Sequence, residues 1–272
     1  MNIALQDTIW KLKTAEKKSA FEQDKKNSII RDSGLHLEKI LQKKDELFST
    51  RKEFKFIIPL DKLSPVINFL QQDFFCSHFG EDFIFKYHNI YFDSSDFKFF
   101  RLHSQGKYNR IKIRTREYKN GAINKFLECK RKVKGAKIKK ERQRIISDNL
   151  DLIPSFPFIK KELKKYNLKP SDLKNKTEIS YDRINFVSKD FKKRVTLDFD
   201  IWAQKNSKKV PIAANFFILE VKSEKFPKKI VQFLLRNYKI KEEKFSKYCV
   251  SLCVLEKNLK RNKWKTILKK YF

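Results

Sequence analysis

Glycine is scarce in this 272-residue chain, with five residues, and proline is little commoner at seven. So few glycines leave no room for a Gly-rich phosphate loop, and neither GxGxxG nor GxxxxGK[ST] occurs. Negative charge is scarce too. The 32 Asp+Glu stand against 64 Lys+Arg, giving a formal charge of +32 and a pI near 9.9. That balance favours a polyanionic partner: nucleic acid, polyphosphate, a nucleotide or an anionic membrane surface. Cys76, Cys129, Cys249 and Cys253 show no zinc-type CxxC pairing and read as reduced, mostly buried thiols of a cytoplasmic protein. No apolar run approaches the about 18 residues that span a bilayer. The opening MNIALQDTIWKLKTAEKK has neither the apolar core nor the small-residue cleavage site of a signal peptide.

Phenylalanine is abundant, at 26 residues, and 40% of the chain is hydrophobic. That is too much apolar surface for a disordered chain, and the length allows one large domain or two small ones. Residues 1–48 are Lys/Glu/Gln-rich without strand-like alternation, and LHLEKILQKKDELF spaces its apolar residues as a helix does. This predicts a helical N-terminal extension over 1–48. From residue 51 the pattern changes to period two. RKEFKFIIP, YHNIYFD, NRIKIRTREY, KFLECKRKV, KKERQRII, TEISYDRINF, KRVTLDFDIW and FFILEVKSE predict about eight strands. Helices are expected in LDKLSPVINFLQQDF with Asp61 as N-cap, SSDFKFFRLHSQ, FPFIKKELKKYN, PKKIVQFLLRNY opening at Pro227, and KYCVSLCVLEKNLKRNKWKTILKKYF. The mixture is α+β with many antiparallel neighbours. The predicted divisions are 1–48, a main domain over 49–258, and a C-terminal helix over 259–272.

NRIKIRTREY places Arg110, Lys112, Arg114 and Arg116 at alternate positions, hence on one face of a strand. For a single strand, a solvated outer face is the commoner explanation. Here five or more strands repeat the habit, with acids at set places: Glu53, Glu128, Asp198, Asp200 and Glu220. The opposite faces carry Phe, Ile, Leu and Val that helices could cover. An antiparallel β-barrel, or tunnel, with a charged lumen and with helices packed outside and at both termini satisfies both observations. So many cations in reduced dielectric cost several kcal/mol unless an anion fills the lumen. Phosphates are the expected occupant, and carboxylates among them suit Mg²⁺ or Mn²⁺.

In order, RKEFKF, IYFDSSDF, NRIKIRTREY, FLECKRKV, KKERQR, YDRINF, RVTLD, FILEVK and EKFSKY resemble the VTC (vacuolar transporter chaperone) domain. This is the polyphosphate polymerase branch of the triphosphate tunnel enzymes, and the resemblance covers roughly residues 50–250. The chain is most similar to short bacterial stand-alone forms without membrane segments. The resemblance implies a tunnel that moves the γ-phosphate of ATP onto a growing inorganic polyphosphate chain with a divalent metal, Mn²⁺ or Mg²⁺. It implies a basic lining of Lys55, Arg114, Arg116, Lys130, Lys140, Arg183, Arg194, Lys244 and Lys247. Tyr181 and Ser246 match phosphate-contacting positions, and Glu220 of LEVK matches the metal-binding glutamate. Arg110 and Lys112 extend the first strand's cationic face. The superfamily's ExExK signature stands here as Arg51, Glu53 and Lys55, and the missing first glutamate disfavours a simple tunnel triphosphatase or cyclase.

The implied roles are catalytic for Arg114, Arg116, Lys130, Arg183 and Arg194, substrate-binding for Lys55, Lys140, Tyr181, Lys244, Ser246 and Lys247, and metal-binding for Glu220. Asp198 and Asp200 either assist the metal or offset lumen charge, and His103 reads as a hydrogen-bonded structural histidine. The implied partners are ATP and inorganic polyphosphate. Specific nucleic-acid binding is not expected, because no such motif occurs and no base-stacking aromatics are set among the strand cations. The alternatives are a polyanion-binding module without turnover and a tunnel triphosphatase that hydrolyses short polyphosphate.

Overall fold

Strand β2 (Lys52–Pro59) shows how the sequence divides itself. Phe54, Phe56 and Ile58 are buried on one side while Glu53 and Lys55 take the other, and the side-chain period of two carries this division along the sheet. The computed structural model describes residues 34–36, 52–78, 82–119, 124–133, 138–146 and 149–272. The helix expected over 1–48 and Arg51 lie outside the described residues, except that Gly34–His36 forms a short strand, β1, parallel to the strand Phe74–His78.

The remaining elements are α1 (Leu63–Gln71), β3 (Phe74–His78), β4 (Ile84–Ser94), α2 (Lys98–Ser104), β5 (Ile111–Tyr118), β6 (Asn124–Lys132), β7 (Ile138–Arg144), α3 (Pro157–Lys164), β8 (Leu173–Ser188), β9 (Arg194–Lys205), β10 (Lys208–Ala213), β11 (Phe216–Ser223), α4 (Lys228–Tyr238), α5 (Lys247–Leu255) and α6 (Lys265–Tyr271). The hydrogen-bonded order is β2-β11-β9-β8-β4-β5-β6-β7, with β3 beside β8 and β10 beside β9. The α+β class, the antiparallel pairing and the helices on the apolar face are as expected. Closure of the ring is not: β2 and β7 end the path, and the described strands leave it open. The edges show why. All seven residues of β7 (IKKERQR) are exposed, and a row of edge Lys and Arg discourages further pairing. The outer edge of β2 is met instead by a loop, where the Glu243 N–H donates to the Lys55 carbonyl at 2.8 Å.

The chain forms two compact units. The first takes the chain up to Phe85 with Arg183–Phe199 and Asn215–Lys244. Its core packs Phe54, Phe56 and Ile58 of β2, Leu197 and Phe199 of β9, and Phe217 and Leu219 of β11 against Leu63, Val66, Ile67 and Leu70 of α1 and Ile230 and Leu234 of α4. Burying each such side chain is worth roughly 1.5–3 kcal/mol. The expected N-cap at Asp61 is displaced. A 3-10 turn over Leu60–Lys62 precedes α1, Lys62 is its N-cap, and Asp61 pairs with Lys62 at 2.7 Å. Pro227 stands at the N-cap of α4, where its missing N–H costs nothing.

The second unit takes Lys86–Asp182, Asp200–Ala214 and Phe245–Phe272. Its core sets Ile111 and Ile113 of β5 and Leu127 and Cys129 of β6 against Phe99, Ile153, Ile159, Leu163 and Tyr166. Helix α5 is buried on nearly every side, so its apolar residues run almost continuously. All four cysteines are buried free thiols, and burial pushes Cys76, Cys129 and Cys253 up to about 12. Among the described residues, no helix is long and apolar enough to cross a membrane.

Candidate functional site

In the second unit, β4 to β7 turn one face to charge. Cross-strand register makes a row of Tyr91, Arg114, Glu128 and Arg142, and beside it a row of Asn89, Arg116, Phe126 and Arg144. Lys112, Lys130 and Lys140 make a third. Lys112 of NRIKIRTREY thus faces Lys130 on β6, while Arg114 and Arg116 have Arg142 and Arg144 in their rows one strand further on, on β7. In these three rows seven Lys and Arg meet one carboxylate, Glu128.

Glu128, 2% exposed, is the hub. Its Oε2 accepts from Arg114 Nε and Nη2 at 2.9 and 2.7 Å. Its Oε1 faces Lys140 Nζ at 2.9 Å and Arg142 Nε at 3.5 Å. Burial alone would raise this carboxyl, but Arg114, Arg116 and Lys140 outweigh it and hold the group far below the usual carboxylate range. One carboxylate cannot balance the cations around it, and the surplus shows on Tyr91. Burial would raise the Tyr91 phenol, yet Arg114, Lys112 and Arg116 bring it down to about 8.

Aromatic and amide side chains hold the guanidinium groups in place. Arg114 Nη1 donates to Tyr91 Oη at 2.9 Å. Arg116 donates from Nε to Asn89 Oδ1 at 2.9 Å and from Nη2 to Tyr181 Oη at 3.0 Å, both neutral partners. Tyr87 lies under Arg116 at 5.0 Å and stacks on Tyr181 with centroids 5.1 Å apart. Arg142 sits 3.5 Å over Phe126 and donates to Tyr118 Oη at 3.1 Å. Such contacts orient the forks while leaving their charge uncancelled.

The start of α5 supplies two more of the expected residues. Ser246 is its N-cap: the hydroxyl accepts from Cys249 N at 3.4 Å and from Lys112 Nζ at 3.2 Å. Lys247 lies 4.8 Å over the Tyr181 ring. The next residue fixes this turn. Tyr248 donates to Asp93, whose fully buried carboxylate also accepts from the N–H groups of Ser94, Phe99 and Phe100 at 2.7–2.8 Å. His103 Nε2 lies 3.1 Å from the Ile111 carbonyl. Burial, with Lys112 and Arg110 nearby, holds its pKa well below the ordinary value, so it is a neutral hydrogen-bonded histidine as expected.

The first unit has its own charged face on β2, β11 and β9. One row is Lys55, Glu220 and Thr196; those on either side are Glu53, Lys222 and Arg194, and Ile57, Ile218 and Asp198. Glu220 is bound by Lys55 at 3.3 Å and by Lys222 at 3.0 Å, and Lys55 reaches Glu53 at 3.4 Å. Burial would lower Lys55, but Glu220 and Glu53 outweigh it and raise its pKa above the ordinary value. Arg183 forks onto both oxygens of the wholly buried Asp198, with Nη2 to Oδ2 at 2.8 Å, so that carboxylate serves the arginine. Arg194 donates to Asn185 at 3.1 Å. Lys244 is exposed.

The expected residues therefore fall into two groups. Arg114, Arg116, Lys130, Lys140, Tyr181, Ser246 and Lys247, with Lys112, belong to the second unit. Lys55, Arg183, Arg194, Glu220 and Lys244 belong to the first. Sequence reasoning passed over Tyr91 and Asn89, which aim the two strand arginines, Lys222, which shares Glu220, and the hub role of Glu128. The period-two spacing of Tyr87, Asn89 and Tyr91 in YHNIYFD was the available signal. Among the described residues, no three His, Cys, Asp or Glu side chains converge as a metal cage.

The antiparallel α+β sheet thus reserves one face for charge and gives the other to helices. The VTC domain model matches residues 50–256, and the chain belongs to this family. Solved structures similar to it include a candidate adenylate cyclase from Bacillus halodurans, 18% identical, covering 72% of this chain and 94% of that one with a TM-score of 0.49. A candidate adenylyl cyclase from Hippeastrum, titled as having a dominant triphosphatase activity, is 12% identical over 76% of this chain and 96% of its own, with a TM-score of 0.48. A protein from Pyrococcus horikoshii is 14% identical over 75% and 96%, with a TM-score of 0.40. No curated protein sequence matches the chain.

Proposed function

We propose that this protein is a polyphosphate polymerase, transferring the γ-phosphate of ATP onto a growing inorganic polyphosphate chain. The observation that carries the reading is the set of rows across β5 to β7, where seven cations meet one carboxylate in a chain that matches the VTC family. Such a surplus needs a polyanion with closely spaced charges. Arg114 and Arg116, held by Glu128, Tyr91, Asn89 and Tyr181, present forks that match phosphate oxygens in pairs. Lys112, Lys130 and Lys140 add point charges beside them. Lys247 and Ser246, at the start of α5, and the exposed Lys244 guide the acceptor or product chain.

Phosphoryl transfer is governed mostly by positioning and charge stabilisation, so the proposal needs no covalent protein intermediate. Glu220 and Glu53 offer two carboxylates on one face, both paired with Lys55 and Lys222. That donor set fits Mg²⁺ or Mn²⁺, ions that take one or two protein carboxylates and complete their shell with water and phosphate oxygens. When bound, such an ion would withdraw charge from the transferring phosphoryl group. Lys55 and Lys222 would then be released from Glu220 to hold phosphate oxygens. Arg183 and Arg194, fixed by Asp198 and Asn185, are the cations of this face that keep their place throughout.

The deciding experiment incubates the purified chain with ATP and Mn²⁺ and resolves the products on a polyphosphate gel. Long ladders are expected. Release of orthophosphate without ladders would instead make it a triphosphatase, and unchanged ATP with bound polyphosphate would make it a binding module.

A further inference from the structure

We propose that the Thr196 hydroxyl is a phosphate-binding group, donating to an oxygen of the polyanion that occupies the first unit's charged face. The inference rests on the polyphosphate reading above and adds a residue to it. Thr196 is 2% exposed and, among the described residues, its Oγ1 has no hydrogen-bond partner. Buried hydroxyls are nearly always partnered, because one left without a partner loses its water and gains nothing in return. A valine would fill the same volume on a strand at no such cost, so a threonine here calls for an explanation.

Its position supplies one. Thr196 lies directly opposite Glu220, so the two side chains share the charged face, and the next residue in that row is Lys55. Its same-face neighbours along β9 already have partners: Arg194 binds Asn185, and Asp198 binds Arg183. Lys55 and Lys222 are tethered to Glu220 yet remain 24% and 33% exposed, within reach of a ligand. A phosphate that draws these ammonium groups off Glu220 enters the row in which Thr196 stands. There the hydroxyl donates to the anion, a charge-assisted hydrogen bond stronger than one between neutral groups. Ser251 Oγ is also buried without a partner among the described residues, but it lies within the apolar helix α5 and serves as the control.

The test measures tripolyphosphate binding by calorimetry, with and without Mn²⁺, alongside the ligand-free melting temperature. Thr196→Val should melt at or above the wild-type temperature and bind about tenfold more weakly, the loss of one hydrogen bond to a charged group. Thr196→Ser should bind like wild type, and Ser251→Ala should leave binding unchanged. Thr196→Ala gives the same comparison should valine disturb packing. Binding by Thr196→Val as tight as wild type overturns the proposal while leaving the polyphosphate reading intact. Failure of the wild type itself to bind tripolyphosphate overturns both.

Discussion

The charged faces of the two units are built on the same alternation and balanced in opposite ways. On the first, Lys55, Arg183, Arg194 and Lys222 are offset by Glu53, Asp198 and Glu220. On the second, seven Lys and Arg in the rows across β5 to β7 meet one carboxylate of those rows, Glu128. The near-neutral face can stand without a ligand and has carboxylates available for a cation. The other keeps an uncompensated field, which lowers the Tyr91 phenol and favours any chain of phosphates. Equal division of labour would predict equal sensitivity to losing an acid; the structure predicts the reverse.

Glu128→Gln should therefore show the largest effect. It leaves Arg114, Lys140 and Arg142 converging on a neutral amide, and breaking a buried charge cluster of this kind costs about 3–5 kcal/mol. Thermal unfolding should fall by roughly 10 °C. Tripolyphosphate should restore more stability to this variant than it adds to wild type, as a melting series with and without the anion would show.

Glu220→Gln tests the other face. Metal-dependent synthesis should fall at least about a hundredfold while the melting temperature changes little, since Lys55 keeps Glu53 as a partner. Full activity in this variant would remove Glu220 from its role. Metal-free affinity for tripolyphosphate should hold or rise, because one repelling carboxylate has gone.

Lys140→Ala, smaller again, should weaken tripolyphosphate binding several-fold. It should also reduce the dependence on salt, since one fewer counterion pair forms. Arg114→Lys should cost more than its conserved charge suggests, because a point charge cannot reproduce the fork that spans Glu128 and Tyr91.

The smallest effect is a titration. Tyr91 should ionise near 8, below its ordinary 10, and ultraviolet difference absorbance of wild type against Tyr91→Phe would resolve it. The depressed value means that ionised Tyr91 favours the folded state. Its stabilisation is therefore present above pH 10, grows between pH 8 and 10, and is lost as pH falls through 8. Bound tripolyphosphate should raise this value by offsetting Arg114 and Arg116. No change on adding the anion would argue that phosphates do not sit on this face.

Much of this was legible beforehand because a strand's period is two. NRIKIRTREY, KFLECKRKV and KKERQRII each announce which residues share a face, and the register then joins those faces into rows. The same alternation put Phe54, Phe56 and Leu219 on the helix-covered side, whereas the strand register of the structure is what sets Lys55 beside Glu220. Helix boundaries were less visible. KYCVSLCVLEKNLKRNKWKTILKKYF reads as one helix yet forms α5, a 3-10 turn over Asn262–Trp264 and α6. Asp61 reads as a cap yet lies within a 3-10 turn, because several backbone geometries can use the same residue. Ring closure was inferred from shared charge, but pairing is decided strand by strand at the edges, where β7 is wholly exposed and five of its seven residues are charged.

The sequence by itself determined the class, the charge on each strand face and the surplus of cations, since alternation and composition are local properties. Only the tertiary structure decided that Glu128 gathers Arg114, Lys140 and Arg142, that Arg183 takes Asp198, and that the Thr196 hydroxyl has no partner among the described residues. Those facts depend on which distant strands become neighbours, and a charge or a hydroxyl acquires its chemistry from what stands within about 3–4 Å of it.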